Sequence, residues 1–173
     1  MRWRPTSSVP REVQDELPLA AGERVLAGAR ETGGRWHAGS DAALYVATDD
    51  GYQRLPWETV EWAAWERESN ELTVVEVADY GEQQARRVLT IEEPGRFLEL
   101  VRERVTASVL LRRPVPVPGR HKRWVTVVAR RSPTRTGDVT YSFVLDRGLD
   151  PEDRSVRDAA RTGLVHVRDE LGM

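Results

Sequence analysis

Short apolar runs broken by turn-forming residues dominate the first half of the chain. Arg24-Val25-Leu26-Ala27-Gly28-Ala29-Arg30 predicts a first strand, ended by Thr32-Gly33-Gly34. Arg35-Trp36-His37-Ala38 and Ala42-Ala43-Leu44-Tyr45-Val46-Ala47-Thr48 predict two more around Gly39-Ser40-Asp41. Asp49-Asp50-Gly51 supplies the turn of a tight hairpin, and Tyr52-Gln53-Arg54-Leu55-Pro56 is a short strand whose pairing Pro56 limits.

Residues 57–68 carry two patterns. Propensity favours a helix with Trp57, Val60, Ala64 and Trp65 on one side. As a strand, Val60, Trp62 and Ala64 share one face, and Glu61, Ala63 and Trp65 the other. The strand that follows the Ser69-Asn70 turn, Leu72-Thr73-Val74-Val75-Glu76-Val77, decides for a meander, and Arg86–Ile91 adds another strand. The period then changes. Phe97, Leu98, Val101, Val105 and Val109 recur at helical spacing from Pro94-Gly95 to Leu111. Residues 112–123 hold three prolines, Gly119 and five positive charges, the composition of an extended linker. Beyond them, residues 124–129 and 139–145 predict a hairpin. A final helix opens at Asp150-Pro151, with a stripe of Val156, Ala160, Leu164, Val167 and Leu171 and Gly172 at its end. That stripe is expected to dock on the 124–145 hairpin.

The expected architecture is therefore α+β in four segments: a polar, proline-containing arm over 1–18, an antiparallel sheet region with a closing helix over 19–111, a basic linker over 112–123, and a strand–strand–helix element over 124–173. No internal repeat is evident.

Composition changes the picture mainly by exclusion. With 173 residues and 39% hydrophobic content the chain buries a core without covalent staples. Cysteine is absent, which removes disulfides, thiolate metal sites and cysteine nucleophiles. The first residues show no apolar segment of the secretory kind, and no stretch approaches the roughly 18 apolar residues of a membrane span. A cytoplasmic address follows as the expectation. Net charge is −2, so attraction to polyanions must be local. Lys122 is the only lysine, and this arginine bias fits a GC-rich bacterial genome.

The order of strands and closing helix over 19–111 resembles the pleckstrin-homology-like (PH-like) barrel. The carriers are Ala43–Gly51, which looks like the strand-to-turn segment of bacterial members, Leu55-Pro56-Trp57-Glu58-Thr59-Val60-Glu61, which is similar to their Pro-Trp entry into the next strand, and Pro94-Gly95-Arg96-Phe97-Leu98, which resembles the start of the closing helix. The resemblance implies a closed antiparallel barrel that binds lipid headgroups, peptides or partner proteins, with no catalytic residue. Lipid-binding members carry a basic cluster on the first hairpin. Here Arg30 and Arg35 flank Glu31 instead.

Candidate chemistry is sparse. His37, Ser40 and Asp41 are the types of a hydrolytic triad, but members within five residues of one turn do not converge as a triad must. They predict turn formers beside a half-exposed histidine. His37, His121 and His166 lack chelating spacing, so no metal and no cofactor is expected. The linker residues Arg112, Arg113, Arg120, Lys122 and Arg123, extended by Arg130, Arg131 and Arg135, form a candidate anion or partner patch with weak affinity for polyanions. Of the six tryptophans, Trp62 is expected in the core, while Trp57 and Trp65 are candidate exposed aromatic contacts. The reading is a non-enzymatic binding or scaffolding protein acting through protein or peptide contacts. The alternatives are a nucleic-acid-associated protein using the basic linker, and an enzyme whose site is not recognisable in sequence. The oligomeric state stays open.

Overall fold

The computed structural model describes residues 9–173, in two compact units. The first holds the chain up to Glu76 together with Ala85–Ser108 and Ser132–Thr136. The second holds Val77–Gln84, Val109–Arg131 and Gly137–Met173. Residues 1–8 of the expected arm lie outside the described residues.

In the first unit, β1 (Val25–Arg30), β2 (Trp36–Ser40), β3 (Ala43–Thr48) and β4 (Gly51–Pro56) form one antiparallel sheet in sequence order. Gly51, at φ 127°, takes the left-handed conformation that the β3–β4 turn requires. Pro56 offers no N–H for pairing, and a 3₁₀ turn at Trp57–Thr59 redirects the chain into a second antiparallel sheet of β5 (Val60–Glu66), β6 (Glu71–Glu76) and β7 (Arg86–Thr90). The strand reading of residues 60–66 is therefore the correct one. Among the described residues, an isolated bridge from Glu31 to Ile91 joins the two sheets. The closed barrel expected from the resemblance is thus replaced by two sheets that meet over a common core. Leu44, Leu55, Val60, Leu72, Val74 and Ile91 fill it, with Phe97 and Val101 of α2 (Phe97–Ser108). Each such side chain contributes roughly 1.5–3 kcal/mol by leaving water.

Three expectations fail in this unit. Residues 9–18 are not a loose arm: a short α1 (Arg11–Glu16) sits between buried Val9 and Leu17, which pack with Ala38, Ala43 and Tyr45. Nor does α2 reach Leu111, because the apolar run Val109-Leu110-Leu111 pairs as a strand instead. Finally, the β5 faces are exchanged. A bulge between Val60 and Trp62 shifts the alternation by one residue, turning Trp62 outward at 43% exposure and Ala63 and Trp65 inward.

The second unit is an antiparallel sheet in the order β10 (Thr140–Leu145), β9 (Trp124–Arg130), β8 (Val109–Pro116), with α3 (Arg154–Leu171) on one face. Residues 112–116, expected in a linker, are strand. They continue a pattern in which Val109, Leu111, Arg113 and Val115 point to one face and Leu110, Arg112, Pro114 and Pro116 to the other. Prolines are tolerated because β8 is an edge, where they also discourage pairing with another chain.

The helix starts later than Asp150-Pro151 suggested. Asp153 is its cap, accepting from the Ser155 N–H at 3.0 Å, and Gly172 closes it. The buried stripe is Val156, Ala159, Ala160, Gly163 and Val167. Gly163 allows a close approach: a Cβ there would lie 2.6 Å from Val127 Cγ2. The helix docks over β8 and β9, so the expected hairpin carries it through β9, while Phe143 and Leu145 of β10 pack at its side. Tyr141, Phe143 and Leu145 of β10 are consequently only half-buried on the helix side.

Candidate functional site

The His37-Ser40-Asp41 group is structural, and His37 is buried at 1% exposure rather than half-exposed. Its Nδ1 accepts the Ala47 N–H at 3.1 Å, and Nε2 lies 3.2 Å from Glu31 Oε2, off the line of a good hydrogen bond. Burial lowers the imidazole pKa, opposed by Glu31. Asp41 accepts from the Arg24 N–H at 2.9 Å.

Ser40, completely buried, accepts from the Ala42 and Ala43 N–H groups and donates to Glu23. The Glu23 carboxylate, whose side chain is 2% exposed, also accepts from the Tyr45 hydroxyl at 2.8 Å, the Ala20 N–H at 3.0 Å and Arg54 Nη2 at 3.1 Å. Burial raises its pKa, but these donors outweigh it and hold the group below the ordinary carboxylate value. Burial, together with the bond to Glu23, pushes the Tyr45 phenol up to about 12. A carboxylate so fully hydrogen-bonded anchors residues 18–24 to the sheet, and the serine it faces has no solvent access.

The eight basic candidates do not form one patch. Arg113 points to the α3 side of the sheet and pairs with Glu170. Arg120 pairs with Asp153 at 3.0 Å, which lowers the Asp153 pKa. Arg130 is buried at 1% exposure, Arg131 is half-buried, and Arg135 sits on the β9–β10 loop. Arg112, Lys122, Arg123 and Arg135 remain exposed, with no ion pair among the described residues. Pairing, burial and strand alternation have divided what sequence proximity put together.

The aromatic candidates change places as well. Trp57 is completely buried, its indole N–H donating to the Ser40 carbonyl at 2.9 Å, because the 3₁₀ turn drives it into the core. Trp65 packs against the same core, half-buried. Among the described residues, the exposed tryptophans are Trp62, at 43%, and Trp124, at 41%.

Trp124 opens β9 opposite Pro116, and the next row of that sheet face holds Pro114, Thr126 and Val144. Trp124 and Val144 are exposed, as are both prolines, and Arg112 lies one row further along the same face. At the other end, Lys122 and Arg123 immediately precede Trp124. The result is an apolar, aromatic surface with cations at both ends. Sequence reasoning missed it because Trp124 becomes its centre only when residues 112–116 pair with β9. Residues 109–116 read Val-Leu-Leu-Arg-Arg-Pro-Val-Pro, with no apolar–polar alternation to announce the strand.

Among the described residues, no group of three or more metal-ligating side chains gathers, and no helix is long and apolar enough to cross a membrane. Compared with known protein families, curated proteins and solved structures, the chain matches none.

Proposed function

We propose that this chain is a non-enzymatic, cytoplasmic binding module that works through contact with a partner protein, with the Trp124 surface as its contact face. The single observation that carries the reading is Trp124, 41% exposed on a sheet face shared with Pro114, Pro116 and Val144. Covering the order of 100 Å² of exposed tryptophan is worth roughly 2–3 kcal/mol before the costs of association. A tryptophan among rigid prolines loses little conformational freedom on binding, which suits a contact hot spot. The cations Arg112, Lys122 and Arg123 favour an acidic rim on the partner. The strand order of the first unit, with α2 following β7, supports assigning it to the PH-like class.

A photo-crosslinking residue at position 124 tests this in cells. A discrete crosslinked protein is expected there, weakened by Arg112→Glu, with none from exposed position 68. No product at 124 would remove the face from consideration. The same cations beside an exposed tryptophan favour one second reading, in which a nucleic-acid strand stacks on Trp124 and its phosphates meet the basic groups.

A further inference from the structure

The other side of the same sheet carries a concave feature that the Trp124 contact does not use. Because α3 lies over β8 and β9, a groove opens between the helix and β10. It is lined by Tyr80, Phe143, Ala160 and Leu164, with Arg157 and Arg161 beside them, and its lining is almost wholly apolar. Tyr80 is fixed there, meeting the Phe143 ring edge-on at 5.4 Å and donating its hydroxyl to the Pro151 carbonyl at 2.9 Å. One wall is thus pre-formed.

The groove has a size and a sign. Its volume is about 210 Å³, below the roughly 300–1,000 Å³ of small-molecule sites and suited to one aliphatic or aromatic side chain. Along the helix, Arg157, Arg161, Leu164, Arg168 and Leu171 follow at i, i+4, i+7, i+11 and i+14. This stripe holds three cations and no acid. Arg168 lies over the Tyr141 ring at 5.2 Å, continuing the aromatic floor. The nearest acids hold the arginines loosely: Glu152 is 3.8 Å from Arg157 and Asp158 is 4.0 Å from Arg161, both well exposed. Such pairs are easily exchanged for a partner's carboxylates.

We infer that the groove between α3 and β10 captures an acidic peptide segment of a partner protein, seating one aliphatic or aromatic side chain between Tyr80, Phe143 and Leu164 while its carboxylates meet Arg157 and Arg161. The inference rests on the reading of the chain as a protein-contact module and adds a second, chemically defined surface to it.

Fluorescence polarisation with the full chain tests it. The probes are fluorescein-labelled nonapeptides of Asp and Glu with a central Phe, Leu or Trp, a matched set with a central Ser, and a set with Lys in place of the acids. Saturable micromolar binding is expected for the acidic anchored peptides alone. It should weaken about tenfold in Arg157→Glu and in Arg161→Glu, and again in Leu164→Lys, and stay unchanged in Trp124→Ala. Circular dichroism checks that each variant is folded, and the surface arginine variants keep the test open if Leu164→Lys is not. Failure of every acidic anchored peptide to bind, equal binding of the Ser or Lys sets, or tighter competition by benzoate or decanoate than by the peptides would each overturn the inference. A position-124 crosslink that persists after such a failure would show that only the groove assignment had fallen.

Discussion

At the scale of single residues, two buried polar side chains give direct tests of stability. His37 accepts the Ala47 N–H through Nδ1, which requires the neutral ring with its proton on Nε2. Burial keeps its folded pKa below the ordinary 6.5. As pH falls through about 6.5, the unfolded chain therefore binds a proton before the folded one, and stability declines toward the lower, folded pKa. Thermal melts should show a lower midpoint at pH 5 than at pH 7.5. In His37→Gln that difference should shrink, and an undiminished difference would place the titration elsewhere. Glu23, by contrast, must stay charged. Glu23→Gln keeps the shape but discards the charge that Arg54, Tyr45 and Ser40 face. A loss of about 2–3 kcal/mol is expected, read from the urea midpoint at neutral pH. These partners come from residues 20 to 54, so no local pattern revealed them.

At the scale of elements, α3 gives the sharpest test. Its stripe was legible as a 3.6-residue period, but docking shifts its centre: Val167 is fully buried, while Leu164 lies at the groove margin. Val167→Asp should cost more than 3 kcal/mol by burying a charge, and Leu164→Asp distinctly less. Equal costs in denaturant titrations would mean that the helix sits in another rotation. Gly163→Leu should lose about 2–3 kcal/mol through overpacking against Val127 and Val115, despite a helix-propensity gain of about 1 kcal/mol. A variant as stable as the parent would contradict the close approach. Strand β5 shows how an element can be identified while its faces are reversed, since one extra residue at the bulge exchanges inside and outside for Trp62 and Trp65.

At the scale of the whole molecule, charge is nearly balanced at −2. Among the candidate cations, Arg112, Lys122, Arg123 and Arg135 are exposed without an ion-pair partner among the described residues. Binding to random duplex, single strand or anionic vesicles should therefore be weak, with Kd around 10⁻⁴–10⁻⁶ M at physiological salt, and should fade as salt rises. Fluorescence anisotropy at two salt concentrations measures this, and nanomolar binding that survives high salt would bring the nucleic-acid reading to the front.

The sequence by itself determined the mixed α and β character, the antiparallel meander, the three turns around Gly34, Gly51 and Asn70, and the amphipathic last helix. Each of these is written in residues within a few positions of one another, where backbone preference and period act directly. Only the tertiary structure decided that residues 109–116 are strand, because an apolar run ending in prolines gains its hydrogen bonds from β9, which begins eight residues later. It likewise buried Trp57, exposed Trp124 and divided the basic candidates, since burial and ion pairing depend on partners distant in sequence. The groove between α3 and β10 belongs to the same class: its two sides meet only because Gly163 lets the helix settle over β8 and β9.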